Sequence, residues 1–152
     1  IPGDRCPEFS LPADDGSIVS LLSLAGQRFV MYFYPEDDTP GCTTENKDFT
    51  ALAGDFAKAG VALLGVSKDS PARHAKFAAK YDLKAPLASD AEEGGLSDAL
   101  GIWAEKQNYG RTYMGMVRST VLIDTQGKIA QVWSKVKVKG HAAEVLEAAK
   151  AL

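Results

Sequence analysis

The chain has 152 residues, 45% of them hydrophobic and 24% charged, which is the make-up of one globular domain and excludes a disordered chain. At that length folding can bury roughly 70% of the surface an unfolded chain exposes, so no disulfide or metal staple is required. Seventeen basic against twenty acidic residues leave a formal charge of -3, which offers no bulk attraction to nucleic acid or to an anionic membrane.

The opening Ile1-Pro2-Gly3-Asp4-Arg5 has no apolar core and does not read as a signal peptide; lacking an initiator Met, it is expected to have lost some leading residues. Phe9-Ser10-Leu11-Pro12 and Ile18-Val19-Ser20-Leu21, on either side of Asp14-Asp15-Gly16-Ser17, predict a short hairpin. Phe29 to Tyr34 is apolar throughout and stopped by Pro35, the pattern of a strand covered on both faces. It is far short of the roughly 20 residues of a membrane span. Phe49, Leu52, Ala53 and Phe56 fall at helical spacing and predict a helix over Thr43–Ala59, ended by Gly60. Val61 to Val66 reads as a second buried strand. Ser70 as cap and Pro71 at the first helical position open a helix that runs to about Tyr81. Ala85 to Ala88 is ambiguous, and Gly95 to Leu100 predicts a small helix. Thr120–Asp124 and Lys128–Trp133 flank Thr125-Gln126-Gly127 as a second hairpin. Ala142, Val145, Leu146 and Ala149 then share one face of a C-terminal helix. Hairpin, β, α, β, α, a mixed middle, β, β, α is the element order of an α/β, thioredoxin-like fold: a mixed sheet flanked by helices, in a single domain over residues 1–152.

Two cysteines, Cys6 and Cys42, are too few for a disulfide scaffold and suit a reducing compartment, the cytoplasm. Cys42 lies in Tyr34-Pro35-Glu36-Asp37-Asp38-Thr39-Pro40-Gly41-Cys42-Thr43-Thr44-Glu45, between the first buried strand and the first long helix, where open α/β sheets place their sites. Thr39 can cap that helix with Pro40 at its first position; a Pro-Gly turn with the helix starting at Cys42 is equally allowed. Either way the thiol meets unpaired backbone N–H groups and the positive helix end, which favour thiolate. Glu36, Asp37, Asp38 and Glu45 oppose it, so an activated thiolate needs a cation from elsewhere, and Arg118 is a candidate. Tuning alone achieves little. Lowering a thiol from about 8.5 to about 6 raises its thiolate fraction at pH 7 roughly 25-fold, but reduces nucleophilicity about 13-fold. Positioned donors must supply the rest of any acceleration. The plain alternative for Cys42 is a buried, inert thiol.

At these residues the sequence resembles the peroxiredoxins, specifically the peroxiredoxin Q or bacterioferritin comigratory protein subgroup. The Pro-x-x-x-Thr-x-x-Cys signature is matched by Pro35, Thr39 and Cys42, with Glu45 three residues later. Tyr32-Phe33-Tyr34-Pro35, Gly65-Val66-Ser67, Arg118-Ser119-Thr120, Gly3-Asp4, Pro7-Glu8-Phe9 and Asp124 to Lys128 extend the likeness over nearly the whole chain. The resemblance implies a thiol peroxidase for hydrogen peroxide and organic hydroperoxides. Cys42 would be the peroxidatic thiolate that becomes a sulfenic acid. Thr39 would orient the peroxide, the Cys42 N–H and Arg118 would stabilise charge on its oxygens, Glu45 would hold Arg118, and Pro35 would shield the thiolate. No metal, flavin or haem is implied; the reductant is thioredoxin or another thiol, and the protein a monomer.

One departure changes the cycle. The subgroup's resolving cysteine five residues on is Lys47 here, and the alternative position on the next helix is also empty, since 70–81 contains no cysteine. Cys6 reads as a small core residue beside Pro7, with an intramolecular resolver or an intermolecular disulfide partner as alternatives. The favoured reading is a one-cysteine mechanism completed by an external thiol, against a two-cysteine cycle through Cys6.

Other chemistry finds no pattern. His74 and His141 read as exposed surface histidines, no Cys or His pair has zinc spacing, and neither a Walker loop nor Gly-x-Gly-x-x-Gly is present. A Cys-x5-Arg phosphatase loop fails at Asp48, and Cys-x-x-Cys fails at Glu45 and Thr39. Trp103, Tyr109, Tyr113, Met114 and Met116 read as core packing, with a loop over the site as the minority alternative. Lys135, Lys137 and Lys139 read as the solvated face of a strand end. Beside the peroxidase stand a cysteine hydrolase using His74 or His141, and a non-catalytic thioredoxin-like redox sensor.

Overall fold

A computed structural model describes residues 1–92 and 94–152 of the chain. The first hairpin forms around its polar turn: Ser10–Pro12 (β1) pairs antiparallel with Ile18–Ser20 (β2), and the Asp15 carboxylate accepts from the Ser17 amide at 2.9 Å. There follow Arg28–Phe33 (β3), Pro40–Ala51 (α1), Ala53–Lys58 (α2), Val61–Ser67 (β4), Pro71–Tyr81 (α3), Leu87–Ser89 (β5), Leu96–Ala99 (α4), Trp103–Asn108 (β6), Arg111–Met116 (β7), Ser119–Ile123 (β8), Ile129–Trp133 (β9) and His141–Lys150 (α5).

The main sheet has the order β5-β4-β3-β8-β9; β3, β4 and β5 run parallel, and β8 is antiparallel to both β3 and β9. β3 is central, and its apolar sequence reflects cover on both faces. Because side chains alternate along a strand, Val30, Tyr32 and Tyr34 enter one layer with Phe49, Phe77 and Val145, while Phe29, Met31 and Phe33 enter the other with Phe9, Leu96 and Met116. Cys42 belongs to the first layer and Cys6 to the second.

The helix predicted over 43–59 is two helices. α1 starts three residues earlier; periodicity misses that start because the buried face of α1 is Cys42, Glu45, Asn46 and Phe49, a stripe at helical spacing that is half polar and interrupts the apolar period. It stops at Leu52, whose backbone leaves helical values (φ -100°, ψ 4°), and α2 carries Phe56 back to the core. α3 begins at its predicted cap: the Ser70 hydroxyl accepts from the Arg73 amide at 3.2 Å. α5 buries Ala142, Val145, Leu146 and Ala149, as its spacing predicts.

The middle of the chain departs from expectation. β6 and β7 pair as an antiparallel ribbon, a separate two-stranded sheet running from Trp103↔Met116 to Asn108↔Arg111. The core reading of this stretch holds for Met116 but fails for Tyr109, Tyr113 and Met114, which are exposed. A ribbon with little cover on either face imposes no apolar alternation, so periodicity had nothing to detect. The lysines at 135, 137 and 139 are exposed but lie beyond the end of β9. Among the described residues no helix is long and apolar enough to cross a membrane.

Candidate active site

The antiparallel register of β3 with β8 pairs Phe33 with Ser119, which brings Arg118 beside the exit of β3, where the chain turns toward α1. Pro35 has no N–H to extend the ladder and stands exposed at that exit. Thr39 is the cap residue of α1, with extended backbone and a carbonyl that accepts from the Thr43 amide at 2.8 Å. Its side chain does not cap; the hydroxyl donates to the Glu36 carbonyl at 2.8 Å. Pro40 is the first helical residue, so Cys42 is the third, and its N–H is among those the helix itself leaves unpaired.

Three of the predicted residues meet. Arg118 donates from Nη2 to the Cys42 Sγ at 3.4 Å and from Nη1 to Glu45 Oε1 at 2.5 Å. Cys42 and Glu45 are both 1% exposed. Gly41 leaves room for the approach: a Cβ there would stand 3.2 Å from Arg118 Nη2, a tight contact to which the guanidinium would have to yield by a few tenths of an ångström. This glycine is a missed part of the site, and only the position of Arg118 reveals why it is bare.

Burial pushes the Glu45 carboxyl up to about 7, against the pull of Arg118, and its Oε2 is buried with no hydrogen-bond partner. Burial also works against the Arg118 charge, but the charges of Glu45 and Cys42 outweigh it and hold the guanidinium above its ordinary value. A folded-state value above the unfolded one means that the contribution of Glu45 to stability is full below about 4.5 and is lost as pH rises through about 7. Glu45→Gln, which cannot ionise, is therefore expected to gain stability relative to wild type as pH rises from 4.5 to 8, by at most about 3 kcal/mol. Thermal denaturation of both proteins across that range checks this; a constant difference would refute it.

Behind the thiol, the Asn46 amide donates to the Cys42 carbonyl at 2.9 Å and accepts from the Tyr32 hydroxyl at 2.7 Å. Tyr32 stacks on Phe49 (4.2 Å, 7°) and lies against Gly65, where a Cβ would come within 2.9 Å of its ring. Asn46 thus anchors the Cys42 backbone, a role no sequence motif announces. Lys106 on β6 is a second cation of this neighbourhood: burial, with the Arg118 charge next, holds its ammonium below the ordinary value, and Cys42 acts in the opposite sense.

The histidines correct the sequence reading, for both are buried. The His74 nitrogens face Asp37 at 2.6 Å and the Ala88 carbonyl at 3.0 Å, and His141 Nε2 faces Thr120 Oγ1 at 2.7 Å. Neither bonds Cys42, which removes the pair a cysteine hydrolase needs. Cys6 is buried in the opposite layer, its thiol donating to the Pro7 carbonyl at 3.4 Å; burial, only partly offset by Arg5, pushes it up to about 11. Lys47 is exposed. Cavities of about 350 and 380 Å³ lie along the N-terminal hairpin, away from Cys42, so chemistry rather than concavity singles out this site.

Comparison with known proteins agrees with this geometry. Residues 2–132 match the model of the AhpC/TSA family. The chain is 45% identical over 144 residues to a putative peroxiredoxin Bcp of Coxiella burnetii, covering 95% of each. It is 44% identical over 148 residues to peroxiredoxin Bcp of Bacillus subtilis, covering 97% of this chain and 94% of that one. A solved structure of the Xanthomonas campestris bacterioferritin comigratory protein, a protein studied for alkyl peroxide reduction, superposes with a TM-score of 0.92 at 44% identity and covers 99% of this chain and 98% of its own.

Proposed function

The chain belongs to the AhpC/TSA family as a thiol peroxidase of the peroxiredoxin Bcp type, and from that premise we propose that Cys42 reduces hydroperoxides, alkyl peroxides among them, in a one-cysteine cycle. The observation that carries the assignment is the contact of Cys42 Sγ with Arg118 Nη2 at 3.4 Å, with the same guanidinium pinned by Glu45.

The Cys42 thiolate attacks one peroxide oxygen; an S–O bond forms as the O–O bond breaks, and the leaving oxygen takes a proton to depart as water or alcohol. Sulfur is oxidised to sulfenic acid and the peroxide is reduced. Charge develops on the two oxygens, and in this reading the Cys42 N–H and the Arg118 guanidinium, which is already held against the Cys42 sulfur, stabilise it with little reorganisation. The Thr39 hydroxyl, with its proton committed to the Glu36 carbonyl, presents lone pairs that accept the O–H of the peroxide and set its direction. Glu45 fixes the guanidinium, and Pro35 shelters one flank of the thiolate.

Reduction then needs two equivalents of an external thiol. The first condenses with the sulfenic acid to a mixed disulfide, releasing water; the second releases Cys42 as thiol and leaves the reductant oxidised. The separation of Cys6 and Cys42 by the central sheet, and the burial that keeps Cys6 protonated, support this over an internal resolver. Thioredoxin or another thiol in the cytoplasm is the reductant of this reading, and the acting unit is a monomer.

Intact mass after one equivalent of hydrogen peroxide, without reductant, tests it. A gain of about 16 Da is the expected result. A loss of about 2 Da, or a disulfide dimer, would restore Cys6 as resolver. An unchanged mass with unconsumed peroxide would remove the peroxidase assignment.

A further inference from the structure

By its place in the sequence the acidic run Glu36-Asp37-Asp38 opposes the thiolate, yet each of its side chains turns to α3. Arg73 meets Glu36 at 3.5 Å and donates to the Asp37 carbonyl at 3.4 Å. Lys80 and the Tyr81 hydroxyl each donate to Asp38 at 2.8 Å, and Asp38 takes the left-handed backbone of a tight turn (φ 60°), which aspartate adopts more readily than most residues. The exposed contacts surround a buried one. His74 is fully buried, with Nδ1 2.6 Å from Asp37 Oδ2 and Nε2 3.0 Å from the Ala88 carbonyl on β5. Asp37, itself buried, accepts from the Tyr34 hydroxyl at its other oxygen (2.6 Å), and its amide donates to Asp69 at 2.8 Å.

The hydrogen-bond requirements decide the charge. A backbone carbonyl only accepts, so Nε2 must carry a proton toward Ala88. The 2.6 Å contact needs a second proton, shared between Nδ1 and Asp37 Oδ2; because a carboxyl is a stronger acid than an imidazolium, and Asp37 Oδ1 is stabilised as an acceptor by the Tyr34 hydroxyl, that proton rests on the ring, which therefore holds both. Asp37, Asp69 and His74 bring ligating atoms within 4.8 Å of one another, but Arg73 at 3.1 Å, the Ser67 hydroxyl at 2.7 Å, the Asp37 amide and Tyr34 already occupy the carboxylates. The cluster is an ion-pair network rather than a cation site.

We propose that His74 is a buried imidazolium that clasps the 36–38 loop to α3 and β5, and that through this loop it is a positioning residue for Thr39 and Cys42. The loop ends at Thr39, whose hydroxyl is bonded to the Glu36 carbonyl, so displacing the loop displaces the group that directs the peroxide. The inference rests on Cys42 being the peroxide-reducing residue. It also explains the acids before the thiol: they are handles by which α3 holds the loop, and their charge is matched locally by Arg73, His74 and Lys80.

Ring ¹⁵N shifts of wild-type His74 at neutral pH are expected to show both nitrogens protonated. In His74→Gln, which keeps a donor and loses the charge, the bimolecular rate of Cys42 oxidation by hydrogen peroxide should fall at least about tenfold, while alkylation by iodoacetamide changes less than about threefold. A histidine that matters only for folding would leave the peroxide rate of a folded variant intact. A folded His74→Gln within about twofold of wild type toward peroxide, or one unprotonated ring nitrogen in wild type, overturns the proposal. Should the variant not fold, the wild-type ring shifts decide alone. Should wild type fail to consume peroxide, it is the peroxidase assignment of Cys42 that falls, and the ring shifts still report the clasp.

Discussion

Cys42→Ser is expected to reduce peroxide consumption at least roughly a thousandfold, to the level of an unassisted thiol such as Cys6, because a serine hydroxyl is not ionised near neutrality and sulfur is the nucleophile. The replacement is nearly isosteric at a position 1% exposed, and its hydroxyl can still accept from Arg118 Nη2, so the melting temperature should change by no more than a few degrees. The gain of about 16 Da on peroxide treatment should vanish with the activity. Stopped-flow peroxide consumption and intact mass check both together. A folded Cys42→Ser protein that retained peroxidase activity would move the chemistry away from α1 altogether.

Arg118→Met is the second large effect. Methionine keeps much of the side-chain volume but removes the donors to Sγ and to Glu45. Loss of one preorganised charged donor costs about 3 to 4 kcal/mol in the transition state, a fall of roughly 10²- to 10³-fold in the rate with peroxide. Stability responds separately. Removing one member of a buried pair costs about 3 to 5 kcal/mol when the other stays charged. Glu45 already lies near 7 with Arg118 in place, and without the cation its folded value rises further. The destabilisation should therefore be small at pH 5, where Glu45 is protonated in the fold, and grow toward pH 9 as ionisation of the unfolded chain pulls the equilibrium. Adding Glu45→Gln should recover most of the stability at pH 9 and none of the rate. Equal destabilisation at both pH values would show that the guanidinium acts through packing rather than charge.

Clear sequence signals share a physical basis: a group whose local chemistry dictates its conformation. Ser70-Pro71 starts α3 because a hydroxyl and a ring with no N–H suit a helix start wherever they occur. The run into Tyr34 reads as a covered strand because it is short, rich in aromatic and β-branched residues and stopped by Pro35, which together favour a strand over a buried helix. Thr39-Pro40 and Pro40-Gly41 offer two helix starts that the sequence leaves equal; in the structure Pro40 is the first helical residue, which puts Cys42 in the first turn. The start of α1 is invisible to apolar periodicity for an instructive reason: its inward face is the site itself, and Cys42, Glu45 and Asn46 fill positions that an ordinary helix gives to leucine.

Burial of polar groups is the property least readable from sequence, since it depends on partners far along the chain. His74 and His141 look like surface residues among alanines and charges, and are buried because Asp37 and Thr120 satisfy them across 37 and 21 residues. Glu36, Asp37 and Asp38 are adjacent to the thiol in sequence, but their charges are answered on α3. The β6–β7 ribbon carries no period because its exposed aromatics have no sheet to pack against.

By itself the sequence determined which residues this protein has for chemistry: one thiol at a helix start, a threonine three residues before it, a distant arginine, and no second cysteine on α1 or α3. Those depend on residue identity and short spacing, which local sterics and backbone hydrogen bonding translate directly into structure. Only the tertiary structure decided which of them meet. The register of β3 with β8 carries Arg118 across 76 residues to Cys42, and the two faces of β3 send Cys42 and Cys6 into separate layers. Both outcomes follow from strand pairing and from burial of the alternate faces of one strand, long-range properties that no short window of residues contains.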